Sequence, residues 1–391
     1  MSSMKIVVLI LLEPALNEVG YVSKYIPLIE KYIDCNFFEV HLIGSYSGLK
    51  PLKEKFSNVH SVMFCPTATH GLGLYLGYLL YLTVAFFKVV QLVPKIGAHV
   101  LLSLGGHAYS GLIVTLTAKL LQRKSIVRIS GPTRYTVWSR YRFGPLLSCF
   151  INVLERMTFS LCDIVISNRD MYWYSSKIVT KQRVLSQGVD LSLFNLRAAP
   201  AFHSKGFPKL ITVARLDKLK NIGSVIEAVG LLEKRYPKIL YHIVGSGPDE
   251  VDLLDKVTKL ALNEHVSFHG YLRPEKIPGL LRSCDVFVLS SFIEGLPSAV
   301  LESMACGLPV IVGSAMYGLS EHFIDGENSL VVEGSPRSIA QAIDKLISDE
   351  ELRNKLVVKG VRYVKEYHDS AKTKNSFSVI IQQLLGTSER N

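Results

Sequence analysis

The 391-residue chain is 48% apolar and 20% charged, with 44 Lys+Arg against 33 Asp+Glu, a balance that excludes a disordered polypeptide. Its length exceeds one ordinary core, so two domains of roughly 150 to 200 residues are expected. The charge is lopsided: residues 1–200 hold 21 basic side chains against 10 acidic ones, and the remainder balances at 23 and 23.

In chain order, "MSSMKIVVLILLEPALNE" opens basic and then apolar, but Glu13 and Glu18 follow and no small-residue cleavage site does. It predicts a first strand rather than a signal peptide. "FEVHLI" and "VHSVMF" predict two more strands, and "GLGLYLGYLLYLTVAFFKVVQLVPK" is uncharged for 17 residues from Gly71 to Phe87 until Lys88 interrupts it. That length suits a buried or interfacial helix better than a bilayer span. "HVLLSL", "SIVRIS", "DIVIS" and "RVLS" complete the strands of the first half. Periodicity lapses from Leu193 to Lys209, which marks a seam. Beyond it, "KLITVA", "LYHIVG", "VSFHG", "VFVLS", "PVIVG" and "SLVV" alternate with stretches of helical period. The expected fold class is α/β, as two doubly wound Rossmann-like domains facing each other across a cleft. Ligand would bind there, at the carboxyl ends of the strands. We place a first domain at 1–195, a linker at 196–208, a second domain at 209–368, and a C-terminal helix at 369–391 packing back towards the first domain; the resemblance described below implies an acceptor-binding role for the first and a donor-binding role for the second.

Between Glu54 and Glu155 no acidic residue occurs, while Lys55, Lys88, Lys95, Lys119, Arg123, Lys124, Arg128, Arg134, Arg140 and Arg142 do. Such a half faces an anionic partner. It lacks a nucleic-acid-binding signature, so an anionic membrane surface or an acidic small molecule is expected and nucleic acid is not. The six cysteines are scattered singly with no C-x-x-C spacing, which reads as reduced, packed thiols in a cytoplasmic protein.

Three stretches could carry chemistry. In "VARLDKLKN", Arg215 and Lys220 stand five apart across a short loop, with a helix starting near Asn221 or Ile222. Two cations and a helix N-terminus at a strand end suit a diphosphate; solvated surface groups are the competing reading. In "HIVGSGP", Gly245 and Gly247 let the backbone turn tightly and approach a ligand, although an ordinary strand-to-helix turn explains them equally well. In "EGLPSAVLE", Glu294 falls on a loop after a strand. Glu302 falls about five residues, roughly 8 Å, into a helix that Gly307 ends. Their spacing fits neither a capping box nor an acid/base dyad. Two carboxylates flanking an amide-rich helix start suit the sugar hydroxyls on either side of a diphosphate.

"EGLPSAVLESMACGLPVIV" resembles the E-x7-E signature of the retaining nucleotide-sugar glycosyltransferases of GT-B fold, group 1 or family 4. "VARLDKLKN", "IVGSGP", "VSFHGYL" and "CDVFVLSSFIEGLP" follow in that family's order across about residues 205 to 335. The resemblance implies that Glu294 holds the donor sugar, Glu302 the ribose, and Arg215 with Lys220 the diphosphate leaving group. Gly245, Gly247, Phe268 and Tyr271 would border the base, and Gly295, Leu296 and Ser298 would offer amides. It implies no side-chain nucleophile, no cofactor and no metal, the nucleotide sugar being a substrate. Two departures fall on the acceptor side. The loop "EPALNEVGY" has Gly20 alone where the family often has a glycine pair, and Ser130 stands where many members carry a His. His107 in "SLGGHAYSG", with Ser130 and Arg134, is then the acceptor-side candidate, although a lone His is more often a structural hydrogen-bonder.

The expected function is transfer of a sugar from a UDP- or GDP-sugar to a hydroxyl of a glycan or lipid-linked acceptor, in polysaccharide or glycoconjugate synthesis. The protein would be cytoplasmic and peripherally membrane-associated through its basic first domain. The alternatives are another GT-B enzyme, such as a phosphorylase or epimerase, and a non-catalytic partner subunit that binds nucleotide sugar.

Overall fold

In the computed structural model, residues 6–11, 29, 32–34, 38–45, 56, 58–62, 71–104, 110–129, 144–168, 178, 180–201, 206–314 and 321–386 are described. The chain divides into two units, Met1–Ser186 with Ala371–Asn391, and Gln187–Ser370.

The first unit holds a parallel sheet of seven strands: β1 (Ile6–Leu11), β2 (Phe38–Ser45), β3 (Val59–Val62), β4 (Val100–Ser103), β5 (Lys124–Ile129), β6 (Ile164–Ser167) and β7 (Gln182–Val184), in the order β3-β2-β1-β4-β5-β6-β7. Each strand predicted for this half is present. Parallel strands need crossovers, and the described ones are α1 (Gly71–Ile96), α2 (Ser110–Leu120) and α3 (Gly144–Leu161). The runs are apolar on both faces because both faces are covered. Val8, Ile10, Leu42, Val100, Leu102 and Ile126 pack with Tyr32 and with Phe377, Ile380 and Ile381 of α10 (Ser370–Leu385). The alternating residues Val7, Ile43 and Leu101 face the opposite way, onto Ala85, Val89 and Val93 of α1 and Ile113, Val114 and Ala118 of α2. Among the described residues no helix is long and apolar enough to cross a membrane.

The second unit holds six parallel strands: β8 (Lys209–Val213), β9 (Leu240–Val244), β10 (Val266–Phe268), β11 (Val286–Leu289), β12 (Val310–Gly313) and β13 (Leu330–Val332), in the order β10-β9-β8-β11-β12-β13. Its helices are α4 (Ile222–Leu232), α5 (Glu250–Lys259), α6 (Ile277–Arg282), α7 (Ser298–Ala305), α8 (Pro336–Ser348) and α9 (Glu350–Tyr367). Leu210, Tyr241, Ile243, Val288 and Ile311 point to a core shared with α4, α5 and α8, while Ile211, Phe287, Leu289 and Val312 point to one shared with α6 and α7. The order reverses direction at β8, which lies between β9 and β11, so the loops leaving β8 and β11 emerge side by side. In doubly wound sheets that reversal is where ligands are received.

Both sheets bridge their far edge with an imidazole pair. Nδ1 of His41 lies 3.0 Å from Nε2 of His60 across β2 and β3, and Nδ1 of His242 lies 3.0 Å from Nε2 of His269 across β9 and the end of β10.

Candidate functional site

The loop after β8 is a short 3-10 turn, Lys218–Lys220, built on two small polar residues. Asp217 starts it: its Oδ1 accepts from the Leu219 N–H at 3.1 Å, and its Oδ2 lies 3.8 Å from Nε of Arg215. One carboxylate thus caps the start of the turn and tethers the arginine. Asn221 closes it in the left-handed conformation, φ 55°, which Asn tolerates better than most residues, and α4 begins at the next position. Its amide Nδ2 donates to the Gly334 carbonyl at 2.8 Å and reaches Oγ and the carbonyl oxygen of Ser290 at 3.2 and 3.3 Å. Its Oδ1 accepts from Ser224 Oγ at 2.7 Å. Three loops are pinned by that one buried side chain, and sequence reasoning gave it only the start of a helix.

The loop after β9 is stitched to the same turn. The Leu216 N–H donates to the Ser246 carbonyl at 3.0 Å, and the Asp249 N–H returns to the Leu216 carbonyl at 3.1 Å. A Cβ at Gly245, φ 134°, would stand 1.8 Å from the Ala214 carbonyl oxygen, and one at Gly247 would stand 2.2 Å from that of Leu216. Close backbone approach was expected here, and it occurs. What approaches in the structure is the neighbouring loop.

Glu294 follows β11. Oε1 of Glu294 accepts from Nζ of Lys220, and Ser291 Oγ lies 3.3 Å from the same oxygen. The Phe292 N–H donates to the Leu219 carbonyl at 2.8 Å, so backbone and ion pair fasten the two loops together. The pair is largely withdrawn from water, with 19% of the lysine side chain and 15% of the glutamate side chain exposed. Leu296 turns into the core beside Val300 and Met304, so only its backbone is left for a ligand. α7 then begins after Pro297 with no side chain capping it, so its first-turn amides face outward from the strand end. Half-buried Glu302 lies in this helix, and Gly307, φ 81°, follows its end.

At the end of β10, Phe268 packs on the core and Tyr271 is exposed. Between them the Gly245 N–H donates to the Gly270 carbonyl at 2.8 Å. Burial, with the neighbouring His269 and Lys209, pushes His242 down to about 4, so the imidazole pair behind this loop is neutral at pH 7. Burial likewise lowers His269.

Of the predicted residues, Arg215, Lys220, Gly245, Gly247, Tyr271, Glu294, Gly295, Leu296, Ser298 and Glu302 lie on the strand-end loops of the second unit or the helix that follows, and Phe268 is the last residue of β10. Lys220 and Glu294 touch, and Arg215 is held one loop residue away by Asp217. His107, Ser130 and Arg134 lie outside the described residues. Asp217, Asn221 and Ser291 are the positioning residues that sequence reading missed; their signal is only short polar side chains at strand ends. A cavity of about 310 Å³ lies against the turn, lined by Asp217, Lys218, Ser224, Asp249 and Lys256, but Lys220 and Glu294 do not line it. Burial first of all pushes the thiols of Cys162, Cys284 and Cys306 up to about 12, so they are inert. Among the described residues no three His, Cys, Asp or Glu side chains gather to hold a metal.

Residues 198–362 match the family described as glycosyl transferases, group 1. The amylovoran biosynthesis glycosyltransferase AmsK of Erwinia amylovora is 32% identical over 178 residues, 44% of this chain and 43% of that protein. The chain spans less than half the length of the curated relatives it matches. In architecture it is similar to Anabaena HepE, solved in complex with UDP (TM-score 0.74, 18% identity, 97% of this chain and 100% of that one). It is also similar to sucrose-phosphate synthase from Thermosynechococcus elongatus (TM-score 0.77, 18% identity, 98% and 100%). Two parallel α/β sheets give the chain the GT-B fold of these structures, and its second unit, which carries the strand-end site, holds the stretch that matches the group 1 glycosyl transferases.

Proposed function

We propose that the protein is a retaining glycosyltransferase that moves a sugar from a UDP- or GDP-linked donor to a hydroxyl of a glycan or lipid-linked acceptor, in polysaccharide synthesis at the cytoplasmic face of a membrane. The observation that carries this reading is the Lys220–Glu294 pair on the adjoining β8 and β11 loops. Among the described residues both hydrogen bonds to the Glu294 carboxylate end on Oε1; on this reading Oε2 accepts from the sugar hydroxyls. Lys220 then stands where sugar meets diphosphate, and Arg215, tethered by Asp217, adds the second positive charge. In the step itself the anomeric carbon's bond to the leaving phosphate oxygen breaks while its bond to the acceptor oxygen forms on the same face. The acceptor proton passes to the departing phosphate. Fixed cations and the α7 amides stabilise the charge that develops there, the role a divalent metal fills elsewhere.

The similarity to AmsK, an amylovoran biosynthesis glycosyltransferase, and to HepE, solved with UDP, supports the polysaccharide setting and the donor class. The test is a panel of nucleotide sugars, with nucleotide release and product anomeric configuration as readouts, with and without chelator. An α-linked product from an α-linked donor, at a rate chelator leaves unchanged, is expected. Nucleotide binding with no turnover on any donor and acceptor would instead favour the non-catalytic partner subunit. A ligand-specific rise in melting temperature with UDP, GDP or ADP identifies the base.

A further inference from the structure

One face of the first sheet is covered by α1, α2 and α3, with α1 packed on α2 and α2 on α3. Their inward residues are buried as the core requires, but their outward residues are not those of a water-facing surface. Phe87 is 59% exposed, Leu120 61%, Val153 50% and Met157 46%. Interleaved with them, Lys88, Lys95, Lys119, Arg123, Lys124 and Arg156 are all exposed. Only two acids fall between Glu54 and Asp163 inclusive of the latter. Glu155 is turned inward and buried. Asp163 is half-buried, with Oδ2 accepting from the backbone N–H and Oγ of Ser125 at 2.9 Å and Oδ1 lying 3.9 Å from Lys119.

Large apolar side chains interspersed with cations across three neighbouring helices form a surface that water solvates poorly and that repels cationic partners. We infer that this α1–α2–α3 face is the membrane-docking surface, seated on an anionic phospholipid bilayer. Phe87, Leu120, Val153 and Met157 enter the acyl boundary while the lysines and arginines meet headgroup phosphates. This deepens the membrane-face element of the proposed function and rests on it, but it uses none of the donor-site residues. An acidic protein would satisfy the cations too; the predominance of basic charge and the spread of apolar groups over three helices favour a planar, fluid partner over a shaped one.

The test uses the full chain and sedimentation with vesicles of phosphatidylcholine, with and without phosphatidylglycerol. The wild type should bind only the anionic vesicles and be released by high salt. Phe87→Asp combined with Leu120→Asp should lower the bound fraction at least about tenfold. Both positions are exposed, so the variant should keep its melting temperature and its shift with UDP. Lys88→Glu with Arg156→Glu should abolish the preference for anionic lipid. Equal binding to neutral vesicles, unchanged binding by both variants, or no vesicle binding by the wild type would each overturn the assignment. If the wild type instead self-associates and Phe87→Asp with Leu120→Asp dissociates it, the face belongs to a second copy of the chain. Loss of transfer with vesicle binding intact would sink only the donor reading.

Discussion

Nζ of Lys220 donates to Oε1 of Glu294 across 74 positions of sequence. Two adjacent strands make the contact possible: β8 and β11 pair in parallel, Leu210 beside Val286 and Ile211 beside Phe287, so their loops leave the sheet together. Asn221 and the Phe292 N–H then fix the distance between those loops. The ion pair is therefore a product of sheet order, and the sheet order is a product of crossover helices many residues away.

Glu294→Gln and Lys220→Met should each lower turnover by about a hundredfold or more, because on the proposed mechanism each removes a charge held at a fixed point beside the donor. The double variant should lose little beyond the worse single one, since the two act as a unit. Each single variant also strands a partly buried charge, at a cost on the order of 1–3 kcal/mol in unfolding free energy. Nucleotide release from the preferred donor and chemical denaturation measure the two effects. Full turnover by Glu294→Gln would remove the glutamate from the donor site.

Asn221 combines a left-handed backbone with three donated contacts, and two substitutions separate these. Asn221→Gly keeps φ 55° accessible and loses the amide; Asn221→Ala loses both. Unfolding free energy should fall in the order wild type, Gly, Ala, with about 1 kcal/mol between the two variants. Donor KM should rise in both. Equal stability of Gly and Ala variants would show that the backbone conformation contributes nothing.

Gly245→Ala would place a Cβ 1.8 Å from the Ala214 carbonyl oxygen, a contact that no rotamer relieves. The β8 and β9 loops must part, and Arg215 moves with its loop. Donor affinity should drop together with melting temperature, whereas Gly326→Ala, also at positive φ but with nothing within 4 Å, should leave donor affinity unchanged. Titration calorimetry with the nucleotide distinguishes them.

Acid should destabilise the protein in a defined window. Burial holds His242 at about 4 and His368 at about 3, with His269 and His322 respectively adding to the shift, against 6.5 for a free imidazole. The unfolded chain takes up these protons first, so the stabilisation is fully present above pH 6.5 and is lost as pH falls through the folded values. Melting temperature followed from pH 8 to 4 should decline below about 6.5. His242→Gln, which can still bond His269, should flatten that decline; an identical slope would clear His242 of any part in it.

The strands could be read from sequence because parallel strands covered on both faces are continuous apolar runs, such as "VFVL" in β11 and "VIVG" in β12, buried throughout. Arg215, Lys220 and Glu294 stood out in the sequence as charges just after strands, and Glu302 only through its spacing from Glu294 into α7. Asn221 did not, because its partners Ser290 and Gly334 stand 69 and 113 positions away and nothing local records that meeting; Asp217 and Ser291 bond within three positions, but short polar side chains after strands are too common to single them out. Gly245 and Gly247 fell between: sequence shows that backbone must come close, but not whose. The outward apolar residues of α1, α2 and α3 were hidden by the same runs that supply the core, since periodicity does not say which of two apolar stripes faces water.

The stitched β8 and β9 loops bear on how such a site can be re-engineered. The Ala214 and Leu216 carbonyls of the first occupy the space that side chains at 245 and 247 would need, and the Leu216 and Asp249 N–H groups bond across from one loop to the other. Either loop transplanted alone from a relative would arrive with the wrong backbone contour and clash. A chimera that exchanges residues 214–217 and 245–249 as a matched pair keeps the fit, so base preference should be portable in two-loop cassettes and not in single ones.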